Sequence, residues 1–138
     1  MNHWLFKTEP EAFSWEMQKD RGVKGEPWSG VRNWQAARNM KEMKKGDLAF
    51  FYHTGGEKRI VGIVEVIGEY RKDPTDETGR FGLVDVKAVR DVPEPVTLAQ
   101  CKADPRLKDM VLVKYSRLSV QPVTEVEWNH ICILGKVK

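Results

Sequence analysis

The chain has 138 residues, 41% hydrophobic and 31% charged, which suits one globular domain with a single moderate core. No apolar run approaches the ~20 residues of a membrane-spanning helix, and the opening MNHWLFKTEPEAF lacks the apolar stretch of a secretory signal; no membrane partner is expected, and a cytoplasmic or nuclear protein is. The net charge is only +3, but eleven Lys and Arg stand against eight Asp and Glu through residue 59 and twelve against twelve beyond it, a weak basic bias that suits an anionic partner such as nucleic acid.

In chain order, HWLFKT (3–8) predicts a strand, and Ser14 can cap a short helical turn through Gln18. Residues 28–41, WSGVRNWQAARNMK, begin as a loop and become helical. At about 100° per residue Ala36, Met40 and Met43 share one face, and Trp34, Arg38, Lys41 and Lys45 the opposite one. That second stripe combines an aromatic ring with three cations. LAFFYHT (48–54) and IVGIVEVIGEY (60–70) are rich in β-branched and aromatic residues, and TGGEKR between them supplies a hairpin connection. DPTDETG (73–79) reads as a loop, and FGLVDVKAV (81–89) alternates as a third consecutive strand. Pro93 and Pro95 mark another loop. Thr97 can cap LAQCKA, which Pro105 stops, and RLSVQPV (117–123) alternates again, with Arg117, Ser119 and Gln121 on one face. Thr124-x-x-Glu127 is a capping box for EVEWNHICIL, and Gly135 stands where that helix ends. The expected fold class is α+β, with mostly antiparallel strands curled into a barrel and flanked by short α-helices.

Catalytic and metal signatures are missing. His3, His53 and His130 lack metal-ligand spacing, Cys101 and Cys132 have no CxxC partner, and GGEK (55–58) lacks the rest of a phosphate loop. Glu9, Glu65 and Asp85 are lone carboxylates, so no enzyme, cofactor or metal is expected. What stands out instead is the clustering of Trp4, Trp15, Trp28 and Trp34 with Lys7, Ser14, Ser29, Arg32 and Asn33 in the first part of the chain. Trp4 and Trp128 are expected in the core. Trp28 follows a proline and precedes Ser-Gly in a loop, where a large ring has less reason to sit unless it lines something. A ring beside hydroxyl and amide groups is what nucleobase recognition needs: stacking contributes about 1–3 kcal/mol whatever the base, and polar groups read its edge.

WLFKTEP, WSGVRNWQAARN, GDLAFFYHT, IVGIVEV and SRLSVQPVTEVEW, in that order over nearly the whole chain, together resemble the EVE domain of the PUA-like superfamily. The resemblance implies a single domain over residues 1–138, a PUA-like β-barrel with surrounding helices, and a pocket that takes a modified base, particularly modified cytosine in DNA, by base flipping. Related YTH domains hold a methylated adenine of RNA in an aromatic cage, so RNA is the alternative partner. On that basis Trp28 and Ser29 are the first pocket candidates, and Lys7, Thr8 and Glu9 resemble a segment lying across the pocket. Ser14, Trp15, Asn33, Tyr52, His53, Arg117 and Ser119 complete the candidate set. Arg32, Trp34, Arg38, Lys41 and Lys45 are the candidates for gripping the nucleic-acid backbone. For Trp34 a second reading stands beside that one, in which the ring covers a neighbouring loop within a cation–π contact.

Overall fold

The computed structural model describes residues 2–138. Its strands are β1 (His3–Thr8), β2 (Glu26–Pro27), β3 (Leu48–His53), β4 (Arg59–Lys72), β5 (Gly82–Thr97) and β6 (Val120–Val123). The helices are α1 (Trp15–Asp20), α2 (Trp34–Lys41), α3 (Leu98–Ala103), α4 (Val111–Lys114) and α5 (Glu125–Leu134). All six strands form one mixed sheet in the order β2-β5-β4-β3-β1-β6, in which β1 runs parallel to β3 and every other pair is antiparallel.

The local signals account for most of these elements. Ser14 accepts from the Met17 N–H, Thr97 and Thr124 each form a complete capping box with Gln100 and Glu127, and Gly135 follows α5. Two expectations need correction. Pro93 and Pro95 do not end a strand: β5 runs through them to Thr97, in a stretch where the pairing with β4 jumps from Gly62↔Asp91 to Ile60↔Val96. Proline has no N–H to donate, and an irregular ladder asks for none at those positions.

The second correction concerns the barrel. The sheet is open, and its two edges explain why: β2 has two residues and includes Pro27, β6 has four and includes Pro122. Neither edge offers enough unbroken donors for the other to pair with. The sheet nevertheless curls far enough that α2 touches β6 at one edge and β4 and β5 towards the other. The Asn39 side-chain amide donates to the Val120 carbonyl (2.8 Å), fixing α2 across the opening.

Strand alternation divides the interior in two. Trp4, Phe6, Ala49, Phe51, Val64, Val66, Val84 and Val86 pack with Trp15, Trp28, Ala36, Met40 and Met43 on the face that holds α1 and α2. Leu5, Phe50, Tyr52, Ile60, Ile63 and Val96 pack with Cys101, Leu107, Leu112, Trp128 and Ile131 beneath α3, α4 and α5. Burying each large side chain contributes about 1.5–3 kcal/mol, so both faces contribute strongly to stability.

Candidate functional site

A cavity of about 500 Å³ opens where the sheet does not close. Lys7, Thr8 and Ser119 line it from β1 and the approach to β6; Pro27, Trp28, Ser29 and Arg32 line it from β2 and the loop beyond. Phe13, Met17 and Arg21 line it from in and around α1. The missing sheet contact and the site are therefore the same place.

Trp28 belongs to both core and cavity. Its N–H donates to the Val84 carbonyl (2.8 Å), which carries the β2–β5 pairing one residue further. Its ring is 8% exposed and packs on Phe6 (4.9 Å between centroids), Phe51 (5.7 Å) and Phe13 (5.9 Å, edge-on at 81°). Phe13 is placed by the turn after β1: its N–H donates to the Glu9 carbonyl (2.9 Å), and the Thr8 hydroxyl donates to the Phe13 carbonyl (3.1 Å). Two aromatic rings thus stand at right angles beside the cavity, held by backbone hydrogen bonds and by packing on Phe6 and Phe51.

The rim is cationic but tethered. Lys7 Nζ donates to the Ser116 carbonyl (2.7 Å), and burial lowers its pKa. Arg21 lies over the Phe13 ring (5.4 Å) and pairs with Glu26 (2.8 Å). Gly30 bends the loop with φ +86°, a conformation that a residue with a Cβ rarely adopts, and its N–H donates to Asp73 Oδ2 (2.8 Å). Arg32 donates to the same oxygen (3.1 Å) and to the Thr75 hydroxyl (3.1 Å). Burial alone would push the Asp73 carboxyl up, but the hydrogen bonds from Thr75, Gly30 and Arg32 outweigh it and hold the group at about 2. Asp73 therefore buckles the rim loop to the end of β4.

Of the pocket candidates, the structure gathers Lys7, Thr8, Trp28, Ser29 and Ser119 around this cavity, with Arg32 at its edge. Glu9 is exposed and supplies only its carbonyl to the turn, and Ser14 is the cap of α1. Trp15 is 4% exposed with its ring on Gly62 of β4, where an added Cβ would come within 2.2 Å of it. Its indole N–H donates to Asp91 (2.7 Å), and its backbone N–H donates to His53 Nε2 (3.0 Å). With Nε2 accepting, His53 Nδ1 carries the proton towards Glu57 (2.9 Å), so this ring fixes α1 to β3 and stands apart from the cavity. Tyr52 lies on the other face of the sheet, as its neighbour in a strand must. Asn33 caps α2 by accepting from the Ala36 N–H (2.9 Å). Arg117 is not on a strand: residues 117–119 precede β6, and Arg117 borders a separate cleft with Asn33 and Tyr115.

On α2, Trp34, Arg38 and Lys41 stay exposed as the stripe predicted, but the helix ends at Lys41 and Lys45 lies beyond it. Trp34 is 56% exposed and covers Phe81 (4.5 Å between centroids), so it does lie over a neighbouring loop. The cations stack next to it, Arg32 over Phe81 (5.9 Å) and Lys41 over Tyr70 (5.5 Å). Of the lone carboxylates, Glu65 faces Lys87 (3.9 Å) and Asp85 pairs with Arg71 (3.1 Å). Phe13, Met17, Arg21 and Asp73 escaped sequence reasoning: Phe13 and Arg21 are held by local contacts with no motif to mark them, and Asp73 is tied to the rim by bonds to Gly30 and Arg32, more than forty residues away.

Fold and cleft together define a PUA-like α+β module, with its sheet left open at the site. The EVE domain profile matches residues 2–134, and the chain belongs to that family. A solved protein from Agrobacterium tumefaciens is 50% identical, with a TM-score of 0.94 over 98% of this chain and 93% of its own. Human THYN1, crystallised in complex with 5-methylcytosine-containing DNA, is 31% identical, with a TM-score of 0.92 over 100% of this chain and 99% of that one. Thymocyte nuclear protein 1 of Gallus gallus is 34% identical over 168 residues, covering 99% of this chain and 69% of the relative.

Proposed function

We propose that this protein reads a modified base in DNA, a modified cytosine above all, by accepting the extruded base in the cavity beside Trp28 without altering it. The observation that carries the reading is the right-angled pair of Phe13 and Trp28 at a cavity of about 500 Å³, flanked by the hydroxyls of Thr8, Ser29 and Ser119. Extrusion costs a few kcal/mol of stacking and pairing, which contact with an aromatic face and hydrogen bonds to the base edge offset. The family membership and the human relative crystallised with 5-methylcytosine-containing DNA support the same reading. The exposed stripe Trp34, Arg38 and Lys41 begins one residue after the rim loop, so a strand whose base enters the cavity passes cations that hold its phosphates.

The test is a fluorescence-anisotropy titration of duplexes differing in one cytosine, 5-methylated or not, with a methylated RNA strand as a further arm. The parent protein is expected to prefer the methylated DNA by about tenfold or more, equivalent to ~1.4 kcal/mol, and Trp28→Ala to lose the preference. Equal affinity for both duplexes in the parent would overturn the reading, and a preference confined to RNA would redirect it.

A further inference from the structure

A second cleft, of about 430 Å³, adjoins the base cavity. Arg32 and Asn33 are consecutive in one wall, and Leu118 and Ser119 in the other; in each pair one residue lines the cavity and its neighbour the cleft. Consecutive Cα atoms lie about 3.8 Å apart, and successive nucleotides of a stacked strand advance about 3.4 Å. One step along both walls is therefore about one step along a strand.

The turn in the second wall is held in shape by buried groups. Ser116 and Arg117 are its central residues, and the Leu118 N–H closes it on the Tyr115 carbonyl (3.3 Å). The carbonyls of Tyr115 and Leu118 also accept from the Gln121 side-chain amide (3.3 and 2.8 Å), that of Ser116 accepts from Lys7 Nζ (2.7 Å) and that of Ser119 from the Lys7 N–H (2.8 Å). Gln121 is fully buried opposite Leu5, and its Oε1 accepts from no described residue. A buried amide left half-satisfied costs stability, and an apolar residue would suit that face of the sheet better. What the glutamine secures is the conformation of the turn. With the backbone fixed, Tyr115 lines the cleft with its side chain 61% exposed. Unlike Trp34, whose ring covers Phe81, it stacks on no other ring among the described residues.

The first wall supplies polar groups whose orientation the backbone sets. Asn39 Nδ2 donates to the Val120 carbonyl (2.8 Å), so its Oδ1 accepts, and Gln35 Nε2 donates to it (3.2 Å). Gln35 Oε1 is thereby left as an acceptor. Asn33 Oδ1 accepts from the Ala36 N–H (2.9 Å), which leaves Asn33 Nδ2 as a donor. Both residues line the cleft across from Tyr115. A ring on one wall and an acceptor and a donor on the other meet the two needs of a nucleobase, a face to stack on and partners for its edge. Resting on the base-reading function above, we propose that this cleft takes the base next to the extruded one on the same strand, stacked on Tyr115 and read by Gln35 and Asn33. The protein then reads sequence context as well as modification: the ring supplies affinity whatever the base, and the two amides supply the choice.

The experiment uses the full chain and pairs Tyr115→Ala with abasic substitutions in a 5-methylcytosine duplex, one step 5′ or one step 3′ of the modified base on its own strand. Tyr115 and Gln35 are both exposed, so their variants keep the fold. With both neighbours present, Tyr115→Ala is expected to weaken binding about tenfold. That penalty should vanish when one particular neighbour is abasic and persist when the other is. Comparing parent and variant on each duplex cancels the easier extrusion that an abasic neighbour brings. Tyr115→Phe, which keeps the ring, is expected to rescue the coupling. With each of the four bases at the sensitive position, parental affinities should spread over about fivefold, and Gln35→Ala should narrow that spread to about twofold. No penalty, or a penalty that responds alike to both positions, overturns the proposal; equal parental affinity for all four bases overturns its edge-reading half. A parent that prefers the methylated duplex without the Tyr115 coupling keeps the base cavity and loses the cleft, whereas a parent without that preference loses the base reading itself.

Discussion

Along β3, Phe50 and Tyr52 point into the face covered by α3, α4 and α5, whereas Ala49, Phe51 and His53 point into the face that carries α1, α2 and the cavity. Both faces bury large aromatic residues, but they are finished differently. Under α5, Phe50 stacks on Trp128 (3.9 Å between centroids, 18°), and Trp128 in turn on His3 (4.4 Å). Around Trp28 the rings meet tilted or edge-on, and one side of the group is left without helix cover. The lesson is that a strand's two-residue period lets one segment serve a helix-covered face and a face with a cavity at once, so a ring buried only on the first can be removed without touching the cavity.

The sharpest way to break the comparison is Phe50→Ala on the sealed face. Removing a fully buried ring from a stack should cost about 4 kcal/mol in a denaturant titration, with the base preference of the remaining folded protein unchanged. A lost preference at full stability would show that the faces are not separate.

Asp73→Asn comes next, because it unbuckles the rim of the open face. The folded carboxyl is held at about 2 against an ordinary 3.8, so its contribution is fully present above the ordinary value and is lost as pH falls towards 2. That difference corresponds to on the order of 2 kcal/mol near neutral pH. The parent should lose this stability on acidification and the variant should lack that part of the acid dependence. Oligonucleotide affinity should fall with it, since Gly30 and Arg32 lose their anchor.

His53→Ala sharpens the contrast from within the open face. The ring was a pocket candidate by sequence, but it accepts the Trp15 N–H, and its removal leaves a buried donor unpaired. The expected result is about 1–2 kcal/mol of lost stability with methylated-to-unmethylated preference intact; the reverse pattern would return His53 to the site. Trp34→Ala is the mildest. Its exposed ring covers Phe81, and thermal or chemical unfolding should register about 0.5 kcal/mol.

These residues also show what a sequence conceals. The strands at 3–8, 48–53 and 59–72 and the caps Ser14, Thr97 and Thr124 were legible, because alternation and capping are local. Trp28 was legible as a ring in a loop. Tyr52 and His53 were grouped in one pocket although adjacent strand residues face opposite ways, a conflict that the period alone could have exposed. Asp73 reads as an ordinary turn residue, since its bond to the Thr75 N–H (2.8 Å) is local; its grip on Gly30 is not. The barrel was overestimated because counting strands does not reveal that both edges are short and carry a proline.

The position of β1 between β3 and β6 constrains how the molecule is made. The first strand pairs with residues 48–53 on one side and with residues 120–123 on the other. During synthesis β3, β4 and β5 can zip together as they emerge, while β1 must wait for β6, the last of the described strands, before its second edge is covered. Joining such distant stretches makes for slow closure, and the ribosome-bound chain should resist protease at β4 before it does so at β1.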